Sequence, residues 1–136
     1  MKTYVITLSK KFLFGSRKGE ETHFKDKFLS GEKIHTIRAN YPLWEKRIKE
    51  VQEGKAILSI REWSGKPYRS KQVVIKNLTR EDGVGVELHI PYMSHIPPQR
   101  LAKNDGLTFE EFNEWFKDYD LQPLAIIHFT HYRYGS

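Results

Sequence analysis

No cysteine occurs in the 136 residues, which removes disulfides and thiolate metal centres from consideration. No apolar run approaches the length that crosses a bilayer. The opening apolar stretch, residues 2–8, is cut short by Lys10 and Lys11 before a secretory core can form. An intracellular, cytoplasmic protein is therefore the expectation. Internal repeats and low-complexity linkers are missing too, so residues 1–136 read as one domain, large enough to bury most of its apolar surface without staples. Acidic residues are scarce early on: residues 1–80 carry 19 Lys and Arg against 8 Asp and Glu, whereas residues 81–136 carry 4 against 9. The overall charge of +6 hides this asymmetry. Such a field favours polyanions and phosphate-bearing ligands, although lysines spread over solvated faces give the same count with no partner at all.

What is present is ordinary for a globular chain, 38% hydrophobic and 29% charged. Residues 2–8 are β-rich and read as a first strand. The segment 10–20, with Gly15, Ser16, Arg17, Lys18 and Gly19, reads as a basic, mobile connector. Residues 22–30 carry Phe24, Phe28 and Leu29 on one side of a helix, and Gly31 is the residue type that ends one. Asn40 and Pro42 start a second helix whose Leu43, Trp44, Ile48 and Val51 recur at helical spacing up to Gly54. Residues 56–63 and 68–78 predict a hairpin about the turn 64–67, and residues 84–90 a further strand in which Gly85 suits a bulge or a close backbone approach. Beyond an irregular, proline-containing loop come a short helical piece over 99–103, the turn signal Asn104-Asp105-Gly106, and a capping box from Thr108 to Glu111. The helix it opens carries Phe109, Phe112, Trp115 and Phe116 toward a core. Residues 124–134 predict the last strand. Strands at both ends, with helices between, give the α+β class, and the many short strands predict a closed or half-closed barrel.

Six histidines raise the question of a metal. His128 and His131 lie three apart on an expected strand, hence on opposite faces, and His89 with His95 suggests no third ligand, so no metal site is expected. Nor is a cofactor. The aromatic residues at helical spacing are explained by a core, while Tyr68, Tyr92, Tyr132 and Tyr134 fit that pattern less well and suit base stacking or half-buried strand positions equally. A different group has chemistry of its own. A lysine desolvated in a cleft has a lowered pKa and accepts a proton, and a threonine hydroxyl becomes a nucleophile beside such a base. A nearby carboxylate holds the lysine or shuttles its proton, and an arginine stabilises an oxyanion or grips phosphate. Lys33, Thr36, Asp105 and Arg38 offer these types. Spacing alone does not single them out, since a surface lysine, a strand threonine and the acidic member of a turn describe the same residues. Lys33 and Thr36 would face opposite ways in a regular strand, so a shared ligand demands a bend near Ile34.

The run Gly31-Glu32-Lys33-Ile34-His35-Thr36-Ile37-Arg38 resembles the glycine, lysine and threonine-isoleucine-arginine signature of the ASCH family, a branch of the PUA-like β-barrels. The later run Ala102-Lys103-Asn104-Asp105-Gly106-Leu107-Thr108, continuing to Trp115-Phe116 and a terminal strand, is similar to that family's second block. The resemblance implies a PUA-like mixed β-barrel with flanking helices. In the small bacterial members that hydrolyse N4-acetylcytidine, the catalytic lysine falls on Lys33, the threonine on Thr36, and the glutamate position on Asp105, one methylene shorter. Arg38, His35, Asn104 and Tyr92 are then assigned to ligand or RNA contact. Additions at residues 10–20 and 81–99 set this chain apart from those enzymes. Three expectations follow: an amidohydrolase acting on an N4-acylated cytidine, a non-catalytic module binding nucleoside or RNA, and an interaction domain with an inert cleft. No membrane partner is expected, and the oligomeric state stays open.

Overall fold

Strands and helices follow the hydrophobic pattern along the chain: β1 (Lys2–Thr7), α1 (Phe24–Ser30), β2 (His35–Arg38), α2 (Tyr41–Gln52), β3 (Ala56–Trp63), β4 (Gln72–Leu78), a 3-10 turn (Arg80–Asp82), β5 (Gly85–His89), α3 (Pro98–Asn104), α4 (Phe109–Phe116) and β6 (Leu124–His128). The structure is a computed structural model and describes residues 1–13, 15–91, 93–119 and 122–135. Two three-stranded sheets result. β3 is the centre of the first, parallel to β1 and antiparallel to β4, and β6 is the centre of the second, antiparallel to β2 and β5. A central strand covered on both faces reads as a nearly continuous apolar run. β6 meets that demand, since all five of its residues are buried. Edge strand β4 instead leaves Val73 and Val74 exposed.

α2 lies against β3, β5 and β6 and so touches both sheets, burying Trp44, Ile48 and Val51. Full burial of an isoleucine or valine such as Ile48 or Val51 contributes roughly 1.5–3 kcal/mol each. Leu43, expected on that face, is 38% exposed. Its backbone N–H is taken by the Asn40 side chain, which caps the helix. In α1, Phe24 is buried and Phe28 packs edge-on against Phe129, with ring centroids 5.1 Å apart, while Leu29 points outward. α4 begins with the expected capping box and buries Phe112, with Trp115 and Phe116 packed against the core and Phe109 at the surface.

The α+β class is as expected, but among the described residues hydrogen bonds do not close the strands into a barrel. Where β1 ends near β2, a side chain takes the place of a ladder: Arg38 Nη2 donates to the Thr7 carbonyl at 2.7 Å. Two boundaries also move. The returning hairpin strand starts at Gln72, because Tyr68 adopts a left-handed φ of 62° that no strand tolerates. The last strand stops at His128, because Arg133 donates to the carbonyls of Thr130, Tyr132 and Gly83 and folds the following residues back. Gly85 shows the expected close approach, since a Cβ there would meet the Arg133 guanidinium at 2.0 Å, while the register shift falls in β3, between Ile60 and Arg61. The 10–20 segment is tied down: Phe12 and Glu20 pair through backbone, Ser16 donates to Glu114, and Arg17 pairs with Glu111.

His128 couples this core to acidity. Burial, together with the nearby His35, pushes its pKa down to about 4 although Glu87 accepts from its Nε2 at 2.7 Å. The unfolded ring titrates near 6.5. The folded state therefore binds fewer protons between these values, so this contribution is complete above about pH 6.5 and is lost as pH falls toward 4, on the order of 3 kcal/mol. Urea unfolding across that range is expected to show the decline, and His128→Gln to flatten it. An unchanged slope in the variant would assign the acid sensitivity to other groups.

Candidate functional site

Gly31 ends α1 with φ 85°, and the N–H groups of Glu32 and Lys33 both turn back to the Lys27 carbonyl at 2.9 Å. The chain thus reverses before β2 begins, and Lys33 and Ile34 belong to the turn. Ile34 is then clamped through its backbone, its N–H donating to Asn104 O at 2.9 Å and its carbonyl accepting from Phe129 N at 3.0 Å. At Ile34 the carbonyl keeps the β2–β6 register while the N–H leaves the ladder for the end of α3. Lys33 and Thr36, three apart, both face one cavity of about 860 Å³, together with Arg38 and Asp105.

Asp105 arrives from the other direction, as the residue that closes α3. Its N–H bonds to the Leu101 and Ala102 carbonyls, and Gly106, at φ 78°, turns the chain away. A Cβ on Gly106 would press within 3.3 Å of both Lys33 Cβ and Lys27 Cδ, so a glycine is required there for closeness as well as for its backbone angle. The Asn-Asp-Gly signal is therefore a helix end whose middle residue faces a lysine 72 positions earlier. Lys33 Nζ donates to Asp105 O at 2.8 Å and to Asp105 Oδ1 at 3.0 Å, and stands 4.3 Å from the centroid of the Phe24 ring. Lys33 is 2% exposed and Asp105 3%.

Electrostatics follow from that burial. Desolvation pushes the Lys33 pKa down further than Asp105 pulls it up, with Arg38 and Lys27 adding to the decrease. For Asp105, burial pushes upward, but the charge on Lys33 and the hydrogen bond from His35 overcome it and hold the carboxyl below its ordinary range. Arg38 Nη1 donates to Thr36 Oγ1 at 2.9 Å, leaving that hydroxyl beside a fixed cation. A base made easier to deprotonate, a hydroxyl next to a guanidinium and an anchored carboxylate are the components of amide hydrolysis by an oxygen nucleophile.

His35 and Asn104 have a different place from the expected one. Neither lines the cavity; His35 is fully buried behind Asp105, with Nδ1 3.2 Å from Asp105 Oδ1 and Nε2 2.6 Å from the Tyr134 hydroxyl, to which Asn104 Nδ2 also donates at 3.0 Å. Tyr92 lies outside the described residues. Tyr134 is engaged through its hydroxyl at the back of the site, a role that sequence spacing gave no means of finding. The ends of β1 and β3 also reach the cavity, with Thr7, Leu8 and Trp63 in its wall. Among the described residues no three His, Asp or Glu side chains are grouped to hold a metal ion, and no helix is long and apolar enough to cross a membrane.

The class so defined is an α+β protein with a deep cleft floored by a buried lysine, a carboxylate, a threonine and an arginine. Comparison with protein-family models, with curated proteins and with solved structures gave no match.

The buried pair makes a sharp energetic prediction. Asp105→Ala strands the Lys33 ammonium in a desolvated site and is expected to cost about 3–5 kcal/mol near neutral pH, whereas the double variant Lys33→Met with Asp105→Leu recovers much of the loss. Urea unfolding of the singles and the double measures the coupling. Additive effects would mean that the two groups are not charged together in the folded protein.

Proposed function

We propose that this protein is a PUA-like, ASCH-type domain whose cleft binds a nucleobase and hydrolyses an acyl group from N4-acylated cytidine. The observation that carries the reading is the convergence of Lys33, Thr36, Arg38 and Asp105 on one cavity although Asp105 lies 72 positions from Lys33. The shared core of the two sheets supports a barrel-like arrangement, and the resemblance of residues 31–38 to the family signature supports the substrate class.

In this reading Thr36 Oγ attacks the amide carbonyl carbon while its proton passes to neutral Lys33. The carbonyl oxygen gains the negative charge, and Arg38 stabilises it. Collapse breaks the carbon–N4 bond, the N4 nitrogen leaves with the proton returned from Lys33, and Thr36 holds the acyl group as an ester. Water then adds to the ester and releases the carboxylic acid. Asp105 keeps Lys33 on the cleft floor throughout. Its side chain is shorter than the glutamate of the resembled enzymes, and its position at the end of α3 brings it within 3.0 Å of the amine nonetheless.

Purified protein incubated with N4-acetylcytidine is expected to release cytidine, with kcat reduced by about 100-fold or more in Lys33→Ala and in Thr36→Ala. Because the active form of Lys33 is neutral and burial lowers its pKa, kcat should rise with pH and reach its plateau below the range of an ordinary lysine. Absence of turnover in the wild type, or activity retained in either variant, would sink the hydrolytic reading.

One observation favours a second reading, a non-catalytic RNA-binding module. Among the described residues the cavity is lined by Lys10, Lys11, Lys18, Lys33, Arg38 and Lys66 against one carboxylate, that of Asp105, and its rim carries Trp63 and the exposed Tyr68 with ring centroids 5.1 Å apart. Cations tracking a backbone beside aromatic platforms suit single-stranded nucleic acid. In that case affinity for a short single-stranded RNA should drop at least tenfold between about 50 and 200 mM salt, and Tyr68→Ala should weaken it at every salt concentration. Salt-independent binding would exclude phosphate contacts.

A further inference from the structure

The mechanism uses one oxygen of Asp105, and that same oxygen is approached from behind by a residue with no part in the chemistry. Oδ1 lies 3.0 Å from Lys33 Nζ and 3.2 Å from His35 Nδ1. An ionised carboxylate only accepts hydrogen bonds, so the ring nitrogen facing it carries the proton. In a neutral imidazole the other nitrogen is then bare and must receive a donor. It does, since the Tyr134 hydroxyl lies 2.6 Å from Nε2, and the tyrosine oxygen in turn accepts from Asn104 Nδ2 at 3.0 Å. The donors run in one direction, from Asn104 through Tyr134 and His35 to Asp105, where they meet Lys33 from the opposite side. The reverse tautomer would set a bare nitrogen against a carboxylate oxygen at a buried position, an arrangement that costs the desolvation of both groups.

The neighbouring rings fit the same order of donors. On the far side of His35 lies His128, 5.7 Å between ring centroids, whose Nε2 is matched by Glu87 and whose Nδ1 is buried with no partner among the described residues, as suits a bare nitrogen better than an N–H. His89 is likewise buried with Nδ1 unpartnered, and Glu87 also accepts from Tyr134 N at 2.8 Å. Arg133 faces His128 from the chain after β6, while Lys27 and Arg38 stand on the Lys33 side.

We infer that His35 and Tyr134 are positioning residues of the cleft, a fixed donor chain that aims the Asp105 carboxylate at Lys33 and keeps it an acceptor. Asp105 is thereby unable to compete for the proton that Lys33 takes from the nucleophile. The kinetic consequence rests on the amide-hydrolysis reading, whereas the tautomer of His35 does not.

Two measurements separate these. Long-range proton–nitrogen correlation spectra of the full chain, with labelled histidine, should show His35 as the Nδ1–H tautomer near neutral pH. Tyr134→Phe, which removes one oxygen and keeps the ring, should leave the proton on Nδ1, where the carboxylate holds it, and shift the Nε2 resonance as that nitrogen loses its donor. It should also lower kcat on N4-acetylcytidine by about 10- to 100-fold with KM nearly unchanged, and move the acid limb of the kcat profile upward as the His35 ring is no longer held against Asp105. His35→Asn, whose amide can donate to Asp105 as Nδ1 does, should hold that limb and retain most activity, while His35→Leu should lose both. A wild-type His35 found as the Nε2–H tautomer or as imidazolium would overturn the proposal whatever the activity. So would a Tyr134→Phe protein with Nε2 resonance, kcat and acid limb all unmoved. If the wild type hydrolyses no acylated cytidine, the hydrolytic reading fails and the spectra alone decide the donor chain.

Discussion

A lysine ammonium and an aspartate carboxylate 3.0 Å apart, both shut away from water, set the terms for the rest of this molecule. Neither charge is tolerable alone in such a place. Each needs the other held at hydrogen-bond distance, and the two are delivered by separate parts of the chain, one by the reversal after α1 and one by the end of α3. The glycines at 31 and 106, the clamp on the Ile34 backbone and the long reach of Lys27 Nζ to the Gly106 carbonyl at 2.8 Å all keep those two deliveries in register. The same burial that makes the pair expensive also pushes the Lys33 pKa down.

Much of the scaffold was legible from local chemistry. Helix ends declared themselves through Gly31, Asn40 and the Thr108 and Glu111 capping box, and residues 124–134 announced a last strand. What failed depended on partners distant in sequence. Tyr68 has good strand character and yet forms a turn, because β3 and β4 close at Trp63 and Gln72. Residues 129–134 are aromatic enough to extend a strand, but the Arg133 guanidinium takes up carbonyls and folds them back. The barrel is an expectation about closure, and closure depends on edges that no local pattern describes. One such edge here is bridged by Arg38.

The cleft was readable in part for the same reason. Lys33, Thr36, Arg38 and Asp105 do line one cavity, although only the family signature singled them out from other lysines, threonines and aspartates. His35 was placed with the ligand contacts because it sits inside that signature; a strand alternates, and its ring points the other way from Thr36, into the core. Tyr134 stood out as a candidate stacking or half-buried tyrosine, but nothing local pointed to His35, since that relation exists only across 99 positions of folded chain.

The pairing of β2 with β6 has a consequence for how the protein is made. His35 is matched to His128 and Arg38 to Ala125, so the strand bearing the threonine finds its partner only after some ninety further residues have been added. During synthesis from the N-terminus, β1, α1, β2 and α2 emerge with that partner still missing, and closing so large a loop is entropically slow. Until then the first half of the chain, with its excess of positive charge and the apolar face of α2 uncovered, is the vulnerable species. The cleft is therefore among the last features to assemble, and a nascent chain that stalls before residue 124 exposes its lysines without possessing the site they serve.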